Sequence, residues 1–118
     1  MRMDRLTNKS QESLRSAVDA ATRRGNPEII PEHLLVAVLE QEGSVGAAVV
    51  QRAGADPKAL VRELSERVEK LPKVSGGQEP GFGRRTVPFL NAAEDEAKKL
   101  KDDFVSVEHF LLAGRSDK

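Results

Sequence analysis

The 118 residues contain no cysteine, no tryptophan and no tyrosine. Without cysteine there is no disulfide, no thiolate metal site and no thiol nucleophile. No stretch approaches the ~20 apolar residues of a membrane span, and Met1-Arg2-Met3-Asp4-Arg5 lacks the apolar core of a signal peptide. Net charge is missing too: 19 basic residues balance 19 acidic ones. A nucleic-acid binder normally needs a basic excess to displace counterions, so the balance argues against nucleic acid as a partner, and no membrane partner is expected. What remains, 38% hydrophobic residues beside 32% charged ones, suits a small cytoplasmic domain with a core of Leu, Val and Ala.

The most informative feature present is a repeat. Glu32-His33-Leu34-Leu35 returns 76 positions later as Glu108-His109-Phe110-Leu111, and these are the only two histidines. The same ungapped offset matches Leu14 with Leu90, Ala17 with Ala93, Asp19 with Asp95, Ala21 with Ala97 and Ala37 with Ala113. Ile29 meets Val105, and Ser10 meets Thr86. Self-similarity with helical spacing implies one supersecondary unit used twice.

The chain reads as all-α. Thr7 caps a first helix whose Leu14, Ala17, Val18 and Ala21 form one stripe, and Gly25 ends it. Pro31 opens a second helix with an apolar face of Leu34, Leu35, Val38 and Leu39, broken by Gly43. Ser44 caps a short third helix carrying Val45, Ala48 and Val49, closed by Gly54. Asp56-Pro57 starts a fourth with the stripe Leu60, Leu64, Val68 and Leu71, stopped by Pro72. The glycines and prolines of residues 72–85 read as a flexible linker, with Phe82 anchoring it across a groove. Thr86 caps a fifth helix with a buried face of Leu90, Ala93, Ala97 and Leu100. Its pairs Glu94–Lys98 and Asp95–Lys99 contribute only ~0.2–0.5 kcal/mol each. Ser106 caps a sixth carrying Phe110 and Leu111.

Residues 1–71 thus form a four-helix first repeat, 72–85 a linker, and 86–118 a two-helix partial second repeat. The counterparts of residues 38–71 would fall at about 114–147, and the sequence ends at Lys118. The expectation is a truncated piece of a longer protein, or a dimer that covers the open face.

Chemistry-bearing motifs are sparse. The histidines lack the i, i+4 spacing and the extra ligands of a zinc site, so each reads as a half-buried packing residue. Gly76, Gly77, Gly81 and Gly83 are followed by no Lys-Ser/Thr, so there is no phosphate loop. No nucleophile–base–orienter set can be assembled, and neither a cofactor nor a metal is expected. Glu32 and Glu108 lie in first helical turns, where carboxylates favour the positive end of the helix dipole by ~0.3–1 kcal/mol; the functional reading is that they bind cationic groups. A helix-turn-helix DNA-binding regulator is the alternative for residues 44–71, opposed by Glu63, Glu66 and Glu69 on its recognition helix.

Three stretches carry a family resemblance: the opening Met1-Arg2-Met3-Asp4-Arg5-Leu6-Thr7-Asn8-Lys9, the capped Glu-His-Leu-Leu, and Leu71-Pro72-Lys73-Val74-Ser75-Gly76. Together they resemble the amino-terminal Clp repeat domains of AAA+ disaggregase chaperones. The resemblance implies a pseudo-twofold helical domain tethered above hexameric AAA+ ring domains. It implies binding of unfolded or aggregated polypeptide, and no ATPase in this chain. Carried over by position, the substrate-handling residues are Thr7, Asp102 and Glu108, with Leu90 in an apolar groove. In a related branch of the family, residues matching Thr7, Glu32 and Glu108 serve sites for phosphorylated arginine. Gly83 stands at the place equivalent to Thr7 in the second repeat.

Overall fold

A computed structural model describes residues 3–41, 45–73 and 80–116. A 3-10 turn (Met3–Arg5) leads into α1 (Asn8–Arg24), then β1 (Glu28–Ile29), α2 (Pro31–Glu40), α3 (Gly46–Arg52) and α4 (Pro57–Glu69). The second half carries β2 (Gly81–Phe82), α5 (Thr86–Lys99) and α6 (Val107–Ser116). Thr7 caps α1 as its sequence position predicts: its Oγ1 accepts from the Ser10 N–H at 3.1 Å. Asp56 caps α4 through the Lys58 N–H, and Pro57 takes the first turn. The expected break at Gly43 and cap at Ser44 lie outside the described residues.

The helices bury a shared core. Leu14, Ala17 and Ala21 of α1 and Leu34 and Val38 of α2 pack with Phe89, Leu90, Ala93 and Ala97 of α5 and Phe110 of α6. A second, smaller cluster holds Leu39, Val50 and Leu64, with Leu35 and Leu111 leaning on it. One buried-face assignment changes. Leu100 is 58% exposed, because α5 ends at Lys99 and nothing described covers its last turn. On α3 the buried apolar residue is Val50, while Val45 precedes the helix and Val49 faces outward.

The two repeats are joined by reciprocal strand pairing. β2 pairs parallel with β1, with Gly81 opposite Glu28 and Phe82 opposite Ile29. Seventy-six residues away the relation is exchanged: Leu6 bridges Val105, the Thr7 N–H donates to the Val105 carbonyl (3.0 Å), and the Val105 N–H donates to Arg5 (2.7 Å). Each repeat's lead-in segment therefore completes the other repeat. The presumed linker is built in at both ends. The Pro72 carbonyl accepts from Asn26 Nδ2, and the Gly83 N–H donates to the Ile29 carbonyl at 2.9 Å. The N–H groups of Gly81 and Gly83 tie this segment to Pro27 and Ile29, and the Phe82 side chain between them is 48% exposed rather than packed as an anchor. Thr86 is the first helical residue and no cap; its hydroxyl donates to the Ile29 carbonyl at 2.6 Å.

Helix endings repeat as well. Gly25 ends α1 at φ 71°, and the Asn26 N–H returns to the Ala21 carbonyl at 2.9 Å. The equivalent turn after α5 has Lys101 at φ 59°, with the Asp102 N–H returning to Ala97 at 2.9 Å. Left-handed backbone crowds a Cβ, and glycine relieves it. Lys101→Gly is therefore expected to stabilise the fold by about 0.5–1 kcal/mol, after its larger loss of chain entropy is offset. Chemical denaturation would measure the gain; a loss would mean the side chain makes a compensating contact.

Candidate functional site

The repeated histidines are buried more deeply than half: His33 is 3% exposed and His109 is 2%. Each closes its own helix. The Ile30 N–H donates to His33 Nδ1 at 2.9 Å, and the Ser106 N–H donates to His109 Nδ1 at 2.8 Å. Those donors fix the tautomer, leaving the proton on Nε2. His33 Nε2–H then reaches Asn26 Oδ1 at 3.0 Å, and His109 Nε2–H reaches Asp102 Oδ2 at 2.9 Å. Asn26 and Asp102 are themselves equivalent at the 76-residue offset. Each histidine thus bolts the start of one helix to the turn ending the previous one. Burial lowers the His33 pKa, and the Arg24 cation lowers it further against the pull of Glu32.

The second copy brings together a serine, a histidine and an aspartate, a combination that sequence spacing did not suggest. Ser106 Oγ lies 3.2 Å from His109 Nδ1, with Asp102 on the far nitrogen. Hydrolytic chemistry would require that Nδ1 lone pair to take the hydroxyl proton. It already accepts the Ser106 N–H. The first repeat builds the same brace from Ile30, His33 and Asn26, with neither hydroxyl nor carboxylate. The arrangement is therefore a helix cap. At the start of α6 the imidazole reaches back to the Ser106 backbone N–H. Among the described residues, no group of three or more His, Asp or Glu side chains could hold a metal ion.

The five sequence-derived site residues separate into two places. Thr7 is half-buried, and its N–H donates to the carbonyl of Val105, a residue between Asp102 and Glu108 in sequence. Asp102 and Glu108 are both exposed, flanking the α6 N-terminus. Glu32 sits at the opposite, equivalent corner beside β1 and Gly83. Its carboxylate is 8% exposed and already engaged. Arg85 Nη2 donates to Oε1 at 2.7 Å, and Arg67 Nη1 lies 3.7 Å from Oε2. Thr7 and Glu32, one repeat in sequence, are thus parted by the strand exchange. Gly83 occupies the corner matching Thr7, where an added Cβ would stand 2.9 Å from Glu28 Oε2. Leu90 is 6% exposed and forms core beneath the surface. An open cleft between α1, α2 and α4, lined by Ala20, Arg24, His33, Val36, Ser65 and Val68, includes none of the five.

The helix-turn-helix alternative fails on geometry. The would-be recognition helix, α4, buries Leu64 and Val68 and sends Glu63, Glu66 and Glu69 to solvent, a face that repels phosphate. Among the described residues, no helix is long and apolar enough to cross a membrane.

Residues 5–118 match the Clp repeat (R) N-terminal domain. The chaperone protein ClpB of Corynebacterium diphtheriae is 42% identical over 109 residues, which cover 91% of this chain and 13% of that protein. The chain thus spans about an eighth of the length of this relative. The Hsp104 N-terminal domain from Candida albicans superposes with a TM-score of 0.76 at 22% identity, covering 92% of this chain and 71% of that one. A ClpV N-domain in complex with VipB peptide superposes with a TM-score of 0.80 at 21% identity, covering 97% and 71%.

Proposed function

We propose a function from one premise: the chain belongs to the Clp repeat N-terminal domain family. In this reading it is the non-catalytic substrate-binding domain of a ClpB-like, ATP-dependent disaggregase, working in the cytoplasm on unfolded or aggregated polypeptides. ATP hydrolysis would belong to AAA+ ring domains of the parent hexamer. The observation that carries the reading is the ClpB likeness, at 42% identity across 91% of this chain. Support for a polypeptide ligand comes from the related ClpV N-domain, which is in complex with a VipB peptide.

We assign the contact surface to the corner where Thr7, Asp102 and Glu108 meet. It is open and acidic, whereas the Glu32 corner is filled by the chain's own Arg85 and Arg67. Glu32 would meet a ligand only after Arg85 swings aside, and Leu90 supports the surface from within. Fluorescence anisotropy should show the chain binding a denatured test protein and ignoring its folded form. Asp102→Asn keeps an acceptor for His109, as Asn26 does for His33, and removes the charge. It should weaken that binding while leaving the melting temperature in place. An intact chain that ignores denatured protein even at high concentration overturns the reading.

A further inference from the structure

Strand exchange leaves a backbone edge at each corner, and the two edges are finished differently. In β2 the Gly81 N–H donates to the Pro27 carbonyl at 3.1 Å and the Gly83 N–H to the Ile29 carbonyl at 2.9 Å. Alternate residues of a strand aim their backbone groups at opposite sides. The Phe82 N–H and carbonyl therefore point away from β1, and among the described residues nothing bonds to either.

At the other corner the equivalent residue is Leu6. Its carbonyl accepts from Gln11 Nε2 at 3.2 Å, and the residue is 3% exposed. The repeat offset puts Val87 in the place of Gln11. A valine side chain has no donor to return, so the Phe82 edge stays open where the Leu6 edge is closed. It is apolar as well: Phe82 is 48% exposed and Val87 49%. It is open with α4 already in place at this corner, where Arg67 approaches Glu32. A Cβ added at Gly81 would meet nothing within 4 Å, so another backbone can come close. An unpaired strand edge is a template for a further strand.

We propose that the outer edge of β2 takes an extended segment of polypeptide as an added strand, bonded through the Phe82 N–H and carbonyl and packed against the Phe82 and Val87 side chains. The chemistry of the edge identifies the occupant. Main-chain groups ask for an extended backbone of any sequence, and the two exposed side chains ask for apolar residues at alternate positions. Arg84, next along and exposed, favours a carboxylate over a cation at that end. This inference rests on the polypeptide-binding reading and adds a second contact to it. The corner of Thr7, Asp102 and Glu108 selects by charge; the β2 edge selects for a backbone that is not already paired, which a folded protein does not offer.

The probe is a fluorescein-labelled Thr-Val-Thr-Val-Asp peptide, titrated into the full chain and followed by anisotropy and NMR. The expected result is one-to-one binding, with the largest downfield amide shift at Phe82. N-methylation of the three central peptide residues adds apolar surface and removes their donors; it should weaken binding by about tenfold. Val87→Gln restores the donor that Gln11 gives Leu6. It should close the edge and weaken binding by a similar factor, with circular dichroism unchanged. Val87→Ala leaves the edge open and should cost less than about threefold. Equal binding of the methylated and unmethylated peptides overturns the proposal. So does Val87→Gln that binds as wild type does, or a dimer paired through Phe82 before peptide is added. If the peptide fails while denatured protein still binds, the strand seat is wrong and the broader function stands. If both fail, both readings fall.

Discussion

Phe110→Ala is expected to lower stability by about 3–5 kcal/mol, the usual cost of emptying a buried aromatic site. Phe110 is 0% exposed on α6 and stacks on Phe89 of α5, with centroids 6.3 Å apart. Around it stand Leu6 and Val105, which bridge the two repeats, and Leu34, its own counterpart at the repeat offset. The removed ring leaves a hole bounded by elements from both halves, so no single helix can settle inward to fill it. Domains of this size have only about 5–15 kcal/mol in total. The melting temperature should therefore fall by more than about 10 °C, read by circular dichroism or calorimetry. A loss under about 1 kcal/mol would mean that α6 is not seated where the structure places it.

His33→Leu is expected to cost about 2–4 kcal/mol despite a similar side-chain size, since two buried polar groups lose their partner at about 1–3 kcal/mol each. The groups are the Ile30 N–H and the side chain of Asn26, itself 2% exposed. The same residue governs acid sensitivity. Its folded pKa lies below the ordinary 6.5, because burial and Arg24 disfavour the cation. The unfolded chain therefore takes up a proton first as pH falls. Stability from neutral His33 is fully present above pH 6.5 and is lost as pH drops from there toward the folded pKa. Denaturation curves across that window should show wild type weakening while His33→Leu changes less. Equal slopes for the two proteins would sink the assignment.

Local signals in the sequence were legible because their physics is local. Thr7, Gly25, Pro31 and Asp56 act within a few residues of where they stand, and each lies where the sequence predicts. The core stripe of Leu14, Ala17 and Ala21 likewise needs only helical period. What escaped depends on partners far along the chain. Thr86 resembles a cap, yet its hydroxyl goes to a carbonyl 57 residues away. Lys101 adopts a glycine-like backbone with no glycine to announce it. The Asn26/Asp102 equivalence was hidden by unlike residue types, although both accept from a histidine seven residues on. The resemblance set Thr7 beside Asp102 and Glu108, but nothing in the sequence pattern announced that Arg85, 53 residues on, pairs with Glu32.

The strand exchange between the repeats also bears on how the chain acquires its structure during synthesis. Leu6 emerges from the ribosome early, but its bridge partner Val105 follows about 100 residues later. Closing so long a loop is entropically costly and comes late, so α1 must wait with its leading edge unpaired. At translation rates of about 5–20 residues per second, the delay is several seconds to tens of seconds. Throughout it, the nascent first repeat exposes a backbone edge and an unfinished core, the same features that make unfolded chains stick to one another.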